Sequence, residues 1–268
     1  MDLPTNPVEH NRLAWDQRVR EGRVFTRPIS DEELADPRKA IDGWAMAEGI
    51  VHKRILCLAC GGGRQGPAYS KHGGLVTVVD ISEAQLEVDR QLARKHLLDL
   101  RTVRGSMDDL SMFGDGTFDI VIQPVSTCYV PDIAKVYREV GRVTAPGGLY
   151  ISQHKQPVSL QADTHRSARG YEIAEPYYRT GPLPQVEGSI HREFGTLEYL
   201  HRWEQLIGEL CRAGFVIEDA AEPNHSDPAS RPGTFGDRSR FVPPYIRFKA
   251  RRTRQQPTVG PRLYDPNA

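Results

Sequence analysis

The spacing of apolar residues changes twice along the chain. Over residues 8–22, Val8, Leu13, Trp15 and Val19 recur among charged positions, which predicts an amphipathic helix. Ser30 followed three residues on by Glu33 is a capping-box signature for a second helix, which Pro37 must break or restart. From Arg54 short apolar runs alternate with amphipathic ones. RILCLAC, LVTVVDIS, DLRTVRGS, FDIVIQP and GGLYISQH read as five strands, the apolar ones buried on both faces, the fifth following a turn at Pro146-Gly147-Gly148. PAYSKHGG, SEAQLEVDRQLARKHLL and DIAKVYREVGRVT read as the helices between them, the second capped by Ser82. Strands alternating with helices predict a parallel sheet with right-handed crossovers.

The regularity lapses near residue 155. Residues 155–194 are rich in Pro, Gly, His and Tyr, a composition of functional or disordered segments. TLEYLHRWEQLIGELCRAGF reads as a helix with Leu197, Leu200, Trp203, Leu206 and Leu210 on its apolar positions. FVIEDAA and YIRFKAR read as two last strands, separated by a Pro-rich loop over 222–244, and the tail 253–268 is expected to be disordered.

Charge narrows the partners. Lys plus Arg and Asp plus Glu are both 35, a formal net charge of zero, which supplies no field for nucleic acid or an anionic membrane. The basic run KARRTRQQ reads as solvated tail. No stretch approaches the roughly 18 apolar residues of a membrane span, and MDLPTNPVEHNRLAWD lacks a signal-peptide core. Cys57-x-x-Cys60 has redox spacing but lies on a strand and a glycine turn without a second pair. Together with Cys128 and Cys211 it reads as reduced cysteine in a cytoplasmic protein, with no metal site.

The candidate chemistry starts at RILCLACGGGRQGP, where Gly61, Gly63 and Gly66 spell G-x-G-x-x-G. A strand, a glycine turn and a helix place backbone N–H groups against a ligand, and Pro67 suits the first turn of that helix. Asp80 closes the second strand, where a carboxylate can bind both ribose hydroxyls. These features serve NAD and S-adenosylmethionine equally. The distinction comes in GSMDDLSMF: Asp108 can accept from an adenine amino group, with Ser106 and Met107 flanking the ring.

Here the chain resembles the class I S-adenosylmethionine-dependent methyltransferases, over about residues 54–154 and the last helix and strands, and within them the small-molecule branch. ILCLACGGG stands at the family's first motif, Asp80 at its ribose acid and Asp108 at its adenine-side acid. Phe118-Asp119-Ile120-Val121 and REVGRVTAPGGLYIS match the motifs of the fourth and fifth strands. Two residues depart from the pattern: Cys57 stands where an acid is common, and Ala59 where a glycine is. The resemblance implies an α/β, Rossmann-like, doubly wound sheet of seven strands, mostly parallel with the last antiparallel. It implies a helical cap over 1–50 and a methyltransferase domain over 51–252, with 155–194 as a substrate lid inserted after strand five. The cofactor is then S-adenosyl-L-methionine, leaving S-adenosyl-L-homocysteine. Its implied contacts are Ala59, Cys60, Gly61, Gly62, Gly63 and Gln65 at the turn, Asp80, Ile81 and Gln85 beyond strand two, Ser106, Met107 and Asp108 beyond strand three, and Pro124 and Val125 beyond strand four. NRLAWDQRV resembles the W-D-x-R entry of small-molecule members, so Trp15 or Arg18 is expected at cofactor or substrate.

Methyl transfer from a sulfonium needs mainly orientation, which supplies roughly 7–11 kcal/mol in good cases, and a base only where the acceptor carries a proton. In QPVSTCYV, Val125, Ser126 and Tyr129 would wall the acceptor, and Gln123-Pro124 could hydrogen-bond it. The N/D-P-P-Y/F motif of nucleic-acid and protein amino-methylases is absent. Candidate bases are His154, His165, His191 and His201, with Tyr177 and Tyr178. His154, at the end of strand five, and His201, in the helix before strand six, lead with Tyr129 as catalytic residues. A small-molecule methyltransferase is the expectation, its acceptor atom and oligomeric state open. An NAD-dependent oxidoreductase and a non-catalytic cofactor-binding protein are the alternatives.

Overall fold

A computed structural model describes residues 6–253; the expected tail falls, from residue 254 on, outside the described residues. Seven strands form one sheet: β1 (Arg54–Leu58), β2 (Leu75–Asp80), β3 (Leu100–Arg104), β4 (Phe118–Gln123), β5 (Thr144–Lys155), β6 (Phe215–Ala221) and β7 (Tyr245–Arg252). Their order is β3-β2-β1-β4-β5-β7-β6. The first five are parallel, and β7 runs antiparallel between β5 and β6.

Alternation along the strands builds two cores. Ile55, Cys57, Val76, Val78, Ile120 and Ile122 point to one face, covered by α2 (Asp31–Ala35), α3 (Gly43–Glu48), α4 (Gln65–Lys71) and α5 (Glu83–His96). Leu56, Leu58, Val79, Val121 and Tyr150 point to the other, covered by α6 (Ile133–Val143). Near-continuous apolar runs, buried from Ile55 to Leu58 in β1 and likewise in β4 save Asp119, are what a sheet covered on both faces requires. The capping box forms as read: Glu33 N–H donates to Ser30 Oγ at 3.1 Å and Ser30 N–H to Glu33 Oε2 at 3.0 Å.

Short helices α7 (Pro157–Gln161) and α9 (Phe235–Ser239) stand in stretches expected to be irregular, and two expected elements take another form. Pro146-Gly147-Gly148 is a bulge inside β5 rather than a turn before it: Phe118 pairs with Thr144, but Ile120 pairs with Leu149. Gly147 has φ +80°, and a Cβ on Gly148 would stand 2.8 Å from the Ala145 carbonyl oxygen, so the loop-out needs glycine. The helix expected from residue 196 begins only near Trp203, as a π-helical turn (Glu204–Gly208) leading into α8 (Glu209–Arg212). Residues 196–201 are held extended by outside partners. Leu197 N–H donates to Asn11 Oδ1 at 2.7 Å, Tyr199 N–H to the Cys128 carbonyl at 2.7 Å, and the Glu198 carbonyl accepts from Leu183 at 2.7 Å. Leu197 and Leu200 are buried all the same, so the apolar positions were right and their period was not.

Candidate active site

The turn after β1 is backbone under constraint. Ala59 has φ +49°, Gly62 +103° and Gly63 +73°, conformations that glycine adopts without a steric cost. A Cβ on Gly61 would stand 2.6 Å from Gln85 Cβ, and one on Gly63 2.6 Å from Leu92 Cδ1. The N–H groups of the turn are spoken for: Gly61 donates to Asp80 Oδ2 at 2.9 Å, and Gly62 and Gly63 donate to Asp89 Oδ2 at 2.9 and 3.1 Å. Asp80 Oδ1 accepts from Ser82 N–H at 2.9 Å. Burial holds the Asp80 carboxyl up at about 6 and that of Asp89 at about 7. Neither pairs with a cation among the described residues. A pyrophosphate needs those N–H groups, whereas a buried and a half-buried carboxylate without a cationic partner are offset by a ligand carrying positive charge. Gln85 Oε1 beside Gly62 is likewise buried without a partner. Carboxylates around the turn suit a ligand that carries positive charge and hydrogen-bond donors, as S-adenosylmethionine does.

Gly66 has no place at the turn. A Cβ there would stand 2.5 Å from Val78 Cγ2 and 3.1 Å from Asp89 Oδ1, so it serves the packing of α4 on β2.

The remaining expected cofactor residues gather along the same sheet edge. Gln65, Ile81, Ser106, Asp108, Pro124 and Val125 are half-buried at the ends of β1 to β4, while Cys60 is buried with its thiol on the Ile122 carbonyl at 3.5 Å. Ser106 Oγ donates to Asp108. Met107 is in the core, its sulfur accepting from Gln123 Nε2 at 3.2 Å. Gln123 also reaches Ser126 Oγ at 3.0 Å and accepts from the Tyr150 hydroxyl at 2.6 Å, so its amide is fully engaged within the protein.

The first helix, α1 (Pro7–Arg20), crosses this edge. Asp16 Oδ1 accepts from Ser82 Oγ at 2.6 Å and Ala84 N–H at 3.2 Å, capping α5, and its other oxygen pairs with Arg12 at 2.6 Å. Asn11 Nδ2 donates to the carbonyls of Tyr129 at 2.9 Å and Leu197 at 3.1 Å. Trp15 packs edge-on against Tyr129, ring centroids 5.5 Å apart, and carries the Arg18 guanidinium over its own ring at 5.4 Å. Asn11, Asp16 and Asp89 were missed in the sequence. Asp16 stood inside the quoted W-D-x-R string, and Asp89 was a carboxylate on the α5 stripe that carries Leu86 and Leu92.

Beyond β4 lies a short 3₁₀ turn, Thr127–Tyr129. His154 Nδ1 bonds Thr127 Oγ1 at 2.8 Å and its Nε2 bonds Ser152 Oγ at 2.7 Å; His201 Nε2 donates to the Thr127 carbonyl at 2.9 Å. Both rings are buried, and burial pushes the His154 imidazole down to about 3 and that of His201 in the same direction. The Tyr129 hydroxyl donates to Glu193 Oε2 at 2.9 Å, and burial drives its pKa well above the usual range. Glu193 shares Lys155 with Glu198, which also pairs with Arg192, in a cluster of four buried charges.

The four histidines do not share one cavity. His165 is exposed beside Asp163, and His191 stacks on Phe235 at 5.0 Å, its Nδ1 without a partner and burial lowering its pKa to about 4. These two line a separate cleft of about 750 Å³ with Ser230, Arg231 and Thr234. Tyr177 accepts from Trp203 N–H at 3.1 Å, and Tyr178 is exposed.

A family model described as a methyltransferase domain matches residues 56–152. In agreement with the sheet order, the chain belongs to the class I S-adenosylmethionine-dependent methyltransferases, and S-adenosylmethionine is its cofactor. It is 33% identical over 232 residues to the uncharacterized methyltransferase YbaJ of Bacillus subtilis, covering 78% of this chain and 88% of that one. An S-adenosylmethionine-dependent methyltransferase from Mesorhizobium loti shares the fold with TM-score 0.63 at 22% identity, over 82% of this chain and 97% of that one. So does geranyl diphosphate C-methyltransferase from Streptomyces coelicolor, solved with Mg²⁺, geranyl diphosphate and S-adenosyl-L-homocysteine, with TM-score 0.60 at 19% identity over 94% and 100% of the two chains. No described helix is long and apolar enough to cross a membrane.

Proposed function

We propose that this protein methylates a small-molecule acceptor in the cytoplasm. The observation that carries the cofactor end is the glycine turn whose amides are held by Asp80 and Asp89, two carboxylates without a cationic partner among the described residues. Bound there, S-adenosylmethionine supplies an activated methyl that passes to the acceptor's lone pair as the carbon–sulfur bond breaks. Asp80, Gln85, Asp108 and the turn Ala59–Gly63 hold and orient it, with Ser106, Met107, Pro124, Val125 and Trp15 around them. A zero net charge, the QPVS end of β4 and a fold neighbour whose acceptor is geranyl diphosphate support a small acceptor. Four free cysteines suit a reducing compartment.

Residues 1–50 and 155–194 act as cover over the domain 51–252. His154 and His201 hold the Thr127–Tyr129 wall from two sides, so we assign them the placing of that wall. Proton removal by either would require giving up a bond to Thr127. The NAD alternative meets a turn whose N–H groups are already engaged by carboxylates.

Calorimetric titration with S-adenosylmethionine, S-adenosylhomocysteine and NADH tests the cofactor end: the first two should bind and NADH should not, and Asp80→Ala should lose most of the affinity. Saturable NADH binding with no response to either sulfur compound would overturn the reading. Methyl-labelled cofactor incubated with fractionated metabolite pools tests the acceptor end. Label appearing only in protein or nucleic acid would exclude a small-molecule acceptor, and label appearing nowhere would favour a non-catalytic binder.

A further inference from the structure

Asp89 is the one fully buried carboxylate on α5, 0% exposed on the stripe that carries Leu86 into the core. Oδ2 takes two amides of the glycine turn, and Oδ1 is buried without a partner. Gly66 makes room for it, since a Cβ there would stand 3.1 Å from Oδ1. In the motif that the first strand resembles, an acid is common where this chain has Cys57. Here negative charge reaches the turn from the helix behind it. The groups facing Asp89 are Asp80 at the end of β2, the Cys60 thiol in the turn, and Arg90 on α5, which is committed to Glu83 and Glu87. From α4 comes Gly66, and at Gly63 the neighbouring segment brings Pro28 and Ile29.

We propose that Asp89 is a positioning residue of the cofactor site: as an anion it fixes Gly62 and Gly63 and favours a ligand that brings positive charge to the turn. A buried carboxylate without a cation is costly, and a positive ligand nearby offsets that cost more than a neutral one does. Burial holds the carboxyl at about 7, so its charge changes near neutral pH. A cationic ligand stabilises the ionised form, and its binding expels a proton.

The test is calorimetric titration of both sulfur compounds from pH 6 to 8.5, in paired buffers of different ionisation heat, on wild type and Asp89→Asn. Asparagine keeps a carbonyl for the two amides and carries no charge. The substitution should weaken S-adenosylmethionine and S-adenosylhomocysteine alike, on the order of tenfold above pH 7, since both carry an α-ammonium. Proton release near pH 7 should vanish, while an inflection nearer 6 from Asp80 should remain. Weakening by the same factor at every pH from 6 to 8.5, or no weakening, would reduce Asp89 to a structural residue. If the variant does not fold, wild type alone decides, because binding without proton release near pH 7 overturns the proposal. Wild type that binds neither compound would instead bring down the cofactor assignment itself.

Discussion

At the scale of single residues, burial decides which side chains act on ligands and which act on the protein. His154 looked like a base at the end of a strand and is a core residue with both nitrogens bonded. Held at about 3, it binds no proton in the native state until far below the roughly 6.5 of an unfolded histidine. Between those values the unfolded chain binds more protons, so native stability falls as pH drops through 6.5. His154→Gln should therefore lose about 1–2 kcal/mol less than wild type between pH 7 and pH 5 in denaturant titrations; an equal loss would show the ring to be protonated in the fold. Gly63→Ala should lower the thermal midpoint by at least the equivalent of about 1 kcal/mol, since it meets Leu92 at 2.6 Å with φ +73°. The glycines and Asp80 were legible because a motif fixes their spacing to a strand end. Asp16 and Asp89 were not, because each acts on an element far away in sequence and neither belongs to a periodic signal.

At the scale of elements, the strands were readable as short apolar runs bounded by glycines and loop residues, and most helices from their period. The failures share a cause, which is partners outside the element. Residues 196–201 carry helical spacing yet give their backbone bonds to Asn11, Cys128 and Leu183. Pro146-Gly147-Gly148, expected as a turn before strand five, lies inside β5 as a bulge because Thr144 already pairs with β4. Asn11 joins α1, the Thr127–Tyr129 turn and residue 197 with three hydrogen bonds. Asn11→Ala leaves buried groups unpaired at about 1–3 kcal/mol. It should speed proteolytic cleavage within residues 190–200 and raise the KM for the cofactor; unchanged cleavage there would show that α1 does not hold that segment.

At the scale of the whole molecule, residues 6–50 are stapled to the rest of the fold at both ends. Asp42 pairs with Arg247, whose guanidinium lies 4.6 Å from the Trp44 ring centroid, and Glu48 pairs with Arg251 at 2.8 Å. At the other end Asp16 caps α5. Cap and sheet should therefore unfold in a single transition by near- and far-ultraviolet circular dichroism; an earlier separate loss of α1–α3 would count against that. The four buried charges around Lys155 join β5 to residues 192–198. Lys155→Met leaves two carboxylates with one guanidinium, and should cost about 3–5 kcal/mol in chemical denaturation.

The span of α1 from Ser82 to Tyr129 also bears on time. In the proposed reading the cofactor lies along the edge that this helix crosses, so both its arrival and the departure of its demethylated product require α1 to lift. The slow step of turnover would then be an opening of the cover rather than the transfer. Turnover would fall as solvent viscosity rises, and a burst of the first methylated product would precede the steady state.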